Sequence, residues 1–326
     1  MFPNQASPVN KKSIPSVPSP ELVDFLYDND LPDGVDMPLA SISARDSVWD
    51  KHRLDTLIIQ EMYAIEREFE RYSERMTDCS GWLKFGFNEV NGLVLKQACF
   101  CRVRYCAMCQ WRRYLLWKAM MYKTYDEIMQ THPTHRFVFL TLTVRNPKIE
   151  DLRETLQHMN KSWKRLINRK EFISGVEGWV RTTEVTRPKQ KRKNKKDPII
   201  YCPKTKNTHA HPHFHVILMV KPSYFGKGYI KQSRWQELWA DCLRVDYLPV
   251  VDVRTVKPRK KGAGDDDGMR GAIAETLKYA VKPDDIMHDA EDPKAREWFY
   301  ELTRQTHRLR FVATGGLLKN ALKADN

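Results

Sequence analysis

The ten residues His211-Pro212-His213-Phe214-His215-Val216-Ile217-Leu218-Met219-Val220 decide how the rest of the chain is read. Their apolar, β-branched second half is a strand pattern, so the histidines lie on a strand and not on a helix. Side chains two apart on a strand share a face. His213 and His215 therefore aim both imidazoles to one side, while Phe214 turns into the core behind them. This is a spacing for two ligands of one metal ion. A lone His-x-His is also met as ordinary surface or hydrogen-bonded histidine, so other residues must decide.

Two flanking stretches do. Upstream, Gly178-Trp179-Val180-Arg181-Thr182-Thr183-Glu184-Val185-Thr186 is a second strand pattern. Paired antiparallel with the first, it sets Glu184 beside both imidazoles, and two histidines with one carboxylate make a divalent-cation site with open positions. Downstream, Gly271 to Lys282 reads as a helix on which Glu275, Tyr279 and Lys282 recur at i, i+4 and i+7. A carboxylate, a phenol and an ammonium then share one face.

In order and type, the strand from Phe137 to Arg145, the His213-Phe214-His215 stretch and the Glu275/Tyr279 helix resemble the three motifs of the HUH endonucleases. More narrowly, roughly residues 79 to 320 resemble the rolling-circle plasmid replication initiators that carry a cysteine cluster ahead of the nuclease motifs. The resemblance implies a metal-dependent, site- and strand-specific endonuclease. Glu184, His213 and His215 would hold magnesium or manganese, the ions that cellular supply favours, although such ligands also accept zinc, nickel or cobalt. Tyr279 would attack the origin phosphodiester, giving a 5′-phosphotyrosine link and a 3′-OH primer. A phenol with a pKa of about 10 is a poor nucleophile at neutral pH, and the metal with Lys278 or Lys282 would favour its deprotonation. Glu275 would activate water for the second cleavage that ends the cycle.

From Phe137 the pattern runs strand 137–145, helix 150–168, strands 178–186 and 213–220, helix 232–244 and strand 249–256. That is the βαββαβ order of a ferredoxin-like antiparallel sheet, in the α+β class. Thr141 and Thr143 alternate on its first strand and can line the floor of the site.

Ahead of the sheet stand Cys79, Cys99, Cys101, Cys106 and Cys109. The Cys106-x2-Cys109 pair can hold half of a tetrahedral structural zinc site, and Cys79, Cys99 and Cys101 are the candidates for the other half. The family pattern, a Cys before Gly plus Cys-x4-Cys-x2-Cys, selects Cys79 and Cys101 and leaves Cys99 as the spare. Cys202 and Cys242 read as structural. The expected organisation is a disordered, proline-rich arm over 1–45, a helical module with a cysteine zinc knuckle over 46–130, the nuclease domain over 131–290 and a C-terminal helical segment over 291–326. A helix at about 47–75 is expected to bury Leu54, Ile58, Met62, Ile65, Phe69 and Tyr72.

A formal net charge of +14 points to a polyanionic partner. The run from Arg187 through Lys189, Lys191, Arg192 and Lys193 to Asp197 reads as a flexible basic loop for DNA phosphates, with a second cluster at 257–261. Arg112 and Arg113, on the helix leaving the knuckle, are further phosphate candidates. No run of 18 apolar residues and no secretory signal are present, and seven cysteines are an odd count for a disulfide framework, so the expected compartment is the cytoplasm. Without a P-loop motif the chain encodes no helicase, which implies a host helicase and single-strand binding protein as partners at the plasmid origin DNA. Two rivals share these features: a single-strand transposase or relaxase using the same motifs, and a non-catalytic zinc-containing nucleic-acid-binding protein.

Overall fold

The computed structural model describes residues 47–88, 92–190, 200–226, 228–256, 268–277 and 283–323. The expected arm lies outside them. The long amphipathic stretch that follows is helical but broken, into α1 (Ser47–Ile65), a 3₁₀ turn at Arg67–Phe69 and α2 (Glu70–Thr77). Its buried stripe also differs from the expected one. Trp49, His52, Thr56, Ile59, Met62 and Tyr63 face inward, whereas Leu54, Ile58 and Ile65 are 61%, 40% and 63% exposed. Two polar residues lie on the inner face: Thr56 Oγ1 is 3.6 Å from Cys106 Sγ and accepts the Met108 N–H at 3.1 Å, and His52 stacks on the Trp111 ring with centroids 4.8 Å apart.

Next comes an antiparallel hairpin, β1 (Leu83–Asn88) and β2 (Gly92–Ala98), which the sequence reading did not contain. Helix α3 (Ala107–Thr131) then starts on Cys106, whose sulfur accepts the Cys109 N–H at 3.4 Å and so caps the helix.

The central sheet is built from β3 (Arg136–Thr143), β4 (Val176–Thr186), β5 (His211–Val220) and β6 (Val251–Val256). Helices α4 (Leu152–Leu166) and α5 (Lys170–Gly175) connect β3 to β4, and α6 (Gln232–Leu243) connects β5 to β6. Beyond β6 lie α7 (Gly268–Thr276), α8 (Pro283–Met287), α9 (Pro293–Thr306) and a fifth strand, β7 (Val312–Gly316). The strand order is β6-β3-β5-β4-β7, and every neighbouring pair is antiparallel.

Alternation along β5 sorts its side chains between two layers. Phe214, Val216, Leu218 and Val220 are fully buried in the main core, which also holds Leu156, Met159 and Trp163 of α4 and Trp235, Leu238 and Trp239 of α6. Trp163 and Trp239 both pack against Phe214. On the opposite face, Ile217 and Met219 join Val180, Phe137 and, from α7 and the residue after it, Met269, Ile273 and Leu277. His213 and His215 continue this second face beyond the apolar patch.

Helix α9 ties the N-terminal helices to the sheet. The hydroxyls of Tyr63 and Thr303 are 3.0 Å apart, those of Tyr105 and Thr306 are 2.6 Å apart, and Tyr300 donates to the Met62 carbonyl at 2.6 Å. Strand β7 closes the outer edge of β4, where Leu317 N donates to the Glu177 carbonyl at 2.9 Å. Gly316 makes that turn possible: its φ is +59°, and a Cβ there would fall 2.0 Å from the Glu177 oxygen. Among the described residues no helix is long and apolar enough to cross a membrane.

Candidate metal centres

The register of three strands assembles the first centre. Glu184 lies opposite His213, Thr182 opposite His215, and on the other side Thr141 and Thr143 face His215 and His213. All share the face carried by Ile217 and Met219. The two histidine Nε2 atoms are 3.1 Å apart, and Glu184 Oε2 lies 3.2 Å from His213 Nε2 and 2.9 Å from His215 Nε2. Three ligand atoms thus converge within a group that is 4% to 8% exposed.

Each imidazole is held from behind. His213 Nδ1 is 3.2 Å from the His211 carbonyl, which fixes it as the protonated nitrogen, and His215 Nδ1 is 3.3 Å from Thr141 Oγ1. Both arrangements leave Nε2 for a metal ion. Phe139 stacks on the His215 ring with centroids 5.6 Å apart. His211 stands beside the centre, bonded to Asn146 Oδ1 at 2.7 Å, and burial pushes its pKa down to about 4, so it is neutral near pH 7. The Thr141 contact sets a measurable outcome. Thr141→Ala should lower divalent-ion affinity about tenfold in calorimetric titration; unchanged affinity would leave packing on Phe139 as what orients His215.

Thr182, two residues before Glu184, was not singled out by sequence reading, although strand alternation alone places it on the ligand face. Its hydroxyl donates to the Thr276 carbonyl and pins the end of α7 to β4. Glu275 is half-buried on α7, which packs against α3, and burial, with a smaller contribution from the Glu275 carboxylate, pushes the Tyr114 phenol pKa up. Tyr279, Lys278 and Lys282 lie outside the described residues.

The second centre is formed by Cys79, Cys101, Cys106 and Cys109, all buried, with sulfurs within 4.8 Å of one another. Cys99 is not a member; its carbonyl accepts the Ser80 N–H at 2.7 Å. Arg53 and Arg75 donate to the carbonyls of Cys79 and Cys101 and hold the two loops. Backbone N–H groups of Arg102, Val103 and Cys109 point at the sulfurs of Cys109, Cys101 and Cys106, at 3.3 to 3.4 Å. Hydrogen bonding from Cys101 holds the Cys106 thiol below the usual range, and the reciprocal contact with Cys106 pushes Cys101 up. A closed set of four buried sulfurs, receiving backbone donors, fits a tetrahedral thiolate-bound ion.

The basic run departs from expectation at its first residue. Arg187 is fully buried, not part of a solvated loop. It donates to the carbonyls of Asp285, Lys206 and Ala295 and to Asn207 Oδ1, and stacks 4.3 Å from the Trp298 ring. Burial lowers its pKa to about 10. Hydropathy hides this role because four acceptors and an aromatic face, all distant in sequence, make the burial tolerable. Lys189 is likewise occupied, 2.7 Å from Asp285, and Lys191, Arg192, Lys193 and the 257–261 cluster lie outside the described residues. Arg187→Ala should lower unfolding free energy by about 2–4 kcal/mol while leaving the salt dependence of DNA binding unchanged. A shallower salt slope with normal stability would restore the phosphate-binding role. Arg112 stacks 5.2 Å over Trp49, and Arg113 faces a cleft.

A family model described as "Replication protein" matches residues 92–326. The chain is 33% identical to a "Protein rep" of Streptococcus pneumoniae serotype 2, over 86% of this chain and 80% of that protein. It is 34% identical to a "Protein rep" of Bacillus amyloliquefaciens, over 85% and 81%, and 34% identical to a "Replication protein" of Staphylococcus aureus, over 63% and 80%. No solved structure matches the chain.

Proposed function

The chain belongs to the replication protein family of plasmid initiators, and from that premise we propose that it initiates rolling-circle replication by nicking one strand of its plasmid origin. The observation that carries this reading is the convergence of Glu184 Oε2 and the two Nε2 atoms of His213 and His215 on one point of the sheet. The order of β6, β3, β5 and β4 supports a ferredoxin-like nuclease fold, with its ligands on the neighbouring strands β4 and β5.

A divalent ion bound there, manganese or magnesium, supplies Lewis-acid polarisation of a non-bridging phosphate oxygen. Tyr279, two residues beyond Leu277, attacks phosphorus through its phenolate oxygen. The Tyr–O–P bond forms, the bond to the upstream 3′-oxygen breaks, and that oxygen takes a proton to become the 3′-OH primer. Lys282 offsets charge on the phosphate. In the second cleavage Glu275 takes the proton of an attacking water. Thr182 keeps the helix end that precedes Tyr279 beside β4. The four cysteines hold structural zinc, and a host helicase and single-strand binding protein complete the partner set in the cytoplasm.

Incubating the protein with supercoiled plasmid bearing its origin and manganese, with and without chelator, tests the reading on denaturing gels. Nicked circles with protein on the 5′ end, absent with chelator, are expected. No nick or adduct with any divalent ion would turn the assignment to origin binding without chemistry.

A further inference from the structure

A cleft of about 780 Å³ opens between α3, the outer strands and the segment after β7, and neither metal centre uses it. Six cations line it: Arg102, Arg104, Arg113, Arg310, Lys319 and Lys323. No carboxylate lines it, and among the described residues none of the six is within ion-pair distance of one. Such a concentration of like charge opposes folding unless an anion neutralises it.

The same walls carry flat rings. Trp117 and Tyr114 come from α3 and Phe311 from the residue before β7, with Arg104 lying 4.7 Å over the Phe311 ring. Gln110, also lining the cleft, is 4% exposed, and neither its Oε1 nor its Nε2 has a hydrogen-bond partner. A buried amide left unsatisfied is costly, and its donor–acceptor pair matches the edge of a nucleobase. Anion seats, stacking rings and an edge-reading amide together describe a nucleoside phosphate, and the volume falls within the roughly 300–1,000 Å³ of small-ligand sites. At one end the cleft is bordered by Thr182 and Leu277, two residues before Tyr279.

We propose that this cleft seats a nucleotide of the single-stranded substrate, its base turned out of the stack against Trp117 or Phe311 and its edge on Gln110, with the flanking phosphates on the Arg and Lys rim. The inference rests on the nuclease reading above. A strand lying across the Glu184 centre continues past Thr182 into the cleft, so the cysteine module takes part in gripping the substrate as well as in folding.

The test uses the full chain and a labelled single-stranded oligonucleotide carrying 5-iododeoxyuridine at successive positions. Anisotropy, photocrosslinking with peptide mapping, and origin nicking are measured on the same preparations. The variants are the pair Lys319→Glu/Lys323→Glu, Trp117→Ala with its fold checked by circular dichroism, and Lys161→Glu/Lys164→Glu on α4 as the control. One oligonucleotide position should crosslink to a peptide containing Trp117 or Phe311. The Lys319/Lys323 pair should weaken strand binding about tenfold or more and reduce the salt slope by about 2, with the control within about twofold of the parent. Thymidine 5′-monophosphate serves as the competing source of the same chemistry; if it binds as tightly as the oligonucleotide, the cleft is a free-nucleotide site and the proposal is overturned. Crosslinks confined to other regions, or parental binding by the Lys319/Lys323 pair while nicking persists, overturn it too. Crosslinking in the cleft without any nicking would instead sink the nuclease reading and leave the cleft assignment standing.

Discussion

Tyr279→Phe is expected to abolish the covalent protein–DNA adduct of the proposed mechanism and to lower origin nicking by about 10³-fold or more, while origin binding stays within about twofold of the parent. The expected asymmetry follows from how little the substitution changes. Phenylalanine keeps the ring and loses only the oxygen proposed to form the new bond to phosphorus, so contacts that position DNA should persist. The Glu184–His213–His215 centre is also untouched. A denaturing gel separates the two effects, since the adduct survives denaturation and simple binding does not. Persistent adduct in the variant would mean that another nucleophile, on another element, does the chemistry. Persistent nicking without adduct would indicate a hydrolytic mechanism with water as the attacking group.

Cys101→Ser is expected to remove the proposed structural metal and with it the cooperative fold of the N-terminal module, whereas Cys99→Ser should leave both intact. Structural zinc sites contribute about 10–16 kcal/mol of apparent binding free energy, comparable to the roughly 5–15 kcal/mol by which whole domains are stable. Loss of one of four thiolates therefore leaves little to hold the loops around Cys79 and Cys101. The damage should spread, because Tyr105 sits between these ligands and bonds Thr306 on α9. Metal content by mass spectrometry and thermal unfolding by circular dichroism check both variants. A full zinc equivalent in Cys101→Ser, with loss in Cys99→Ser, would reverse the ligand choice; no metal in the parent protein would reduce the cluster to buried thiols.

The centre around Glu184 was legible before any coordinates because a strand's period of two and the antiparallel pairing of neighbours leave few registers, and one of them joins a carboxylate to two imidazoles. The strand expected at 213–220 runs from His211 to Val220, and the helix expected at 232–244 spans Gln232–Leu243. Where tertiary contacts outweigh pattern, reading fails. The inner stripe of α1 includes His52 and Thr56 beside Ile59 and Met62, because Thr56 meets the Cys106 sulfur and His52 stacks on the Trp111 ring. Arg187 looks like the first residue of a solvated run, yet its acceptors come from segments around Lys206, Asp285 and Ala295. The basic cleft is invisible for the same reason, as its six cations are scattered from Arg102 to Lys323.

Strand β7, the last strand of the sheet, pairs with β4, which carries Glu184. During synthesis the ligand-bearing strand therefore waits, with its outer edge unpaired, until the ribosome has released the residues from Val312 to Gly316. An unpaired edge is a template for joining other chains. A message cut short before Val312 would yield not a weakened protein but a sticky one, its sheet open at β4, and the yield of working protein would become sensitive to how promptly translation reaches that strand.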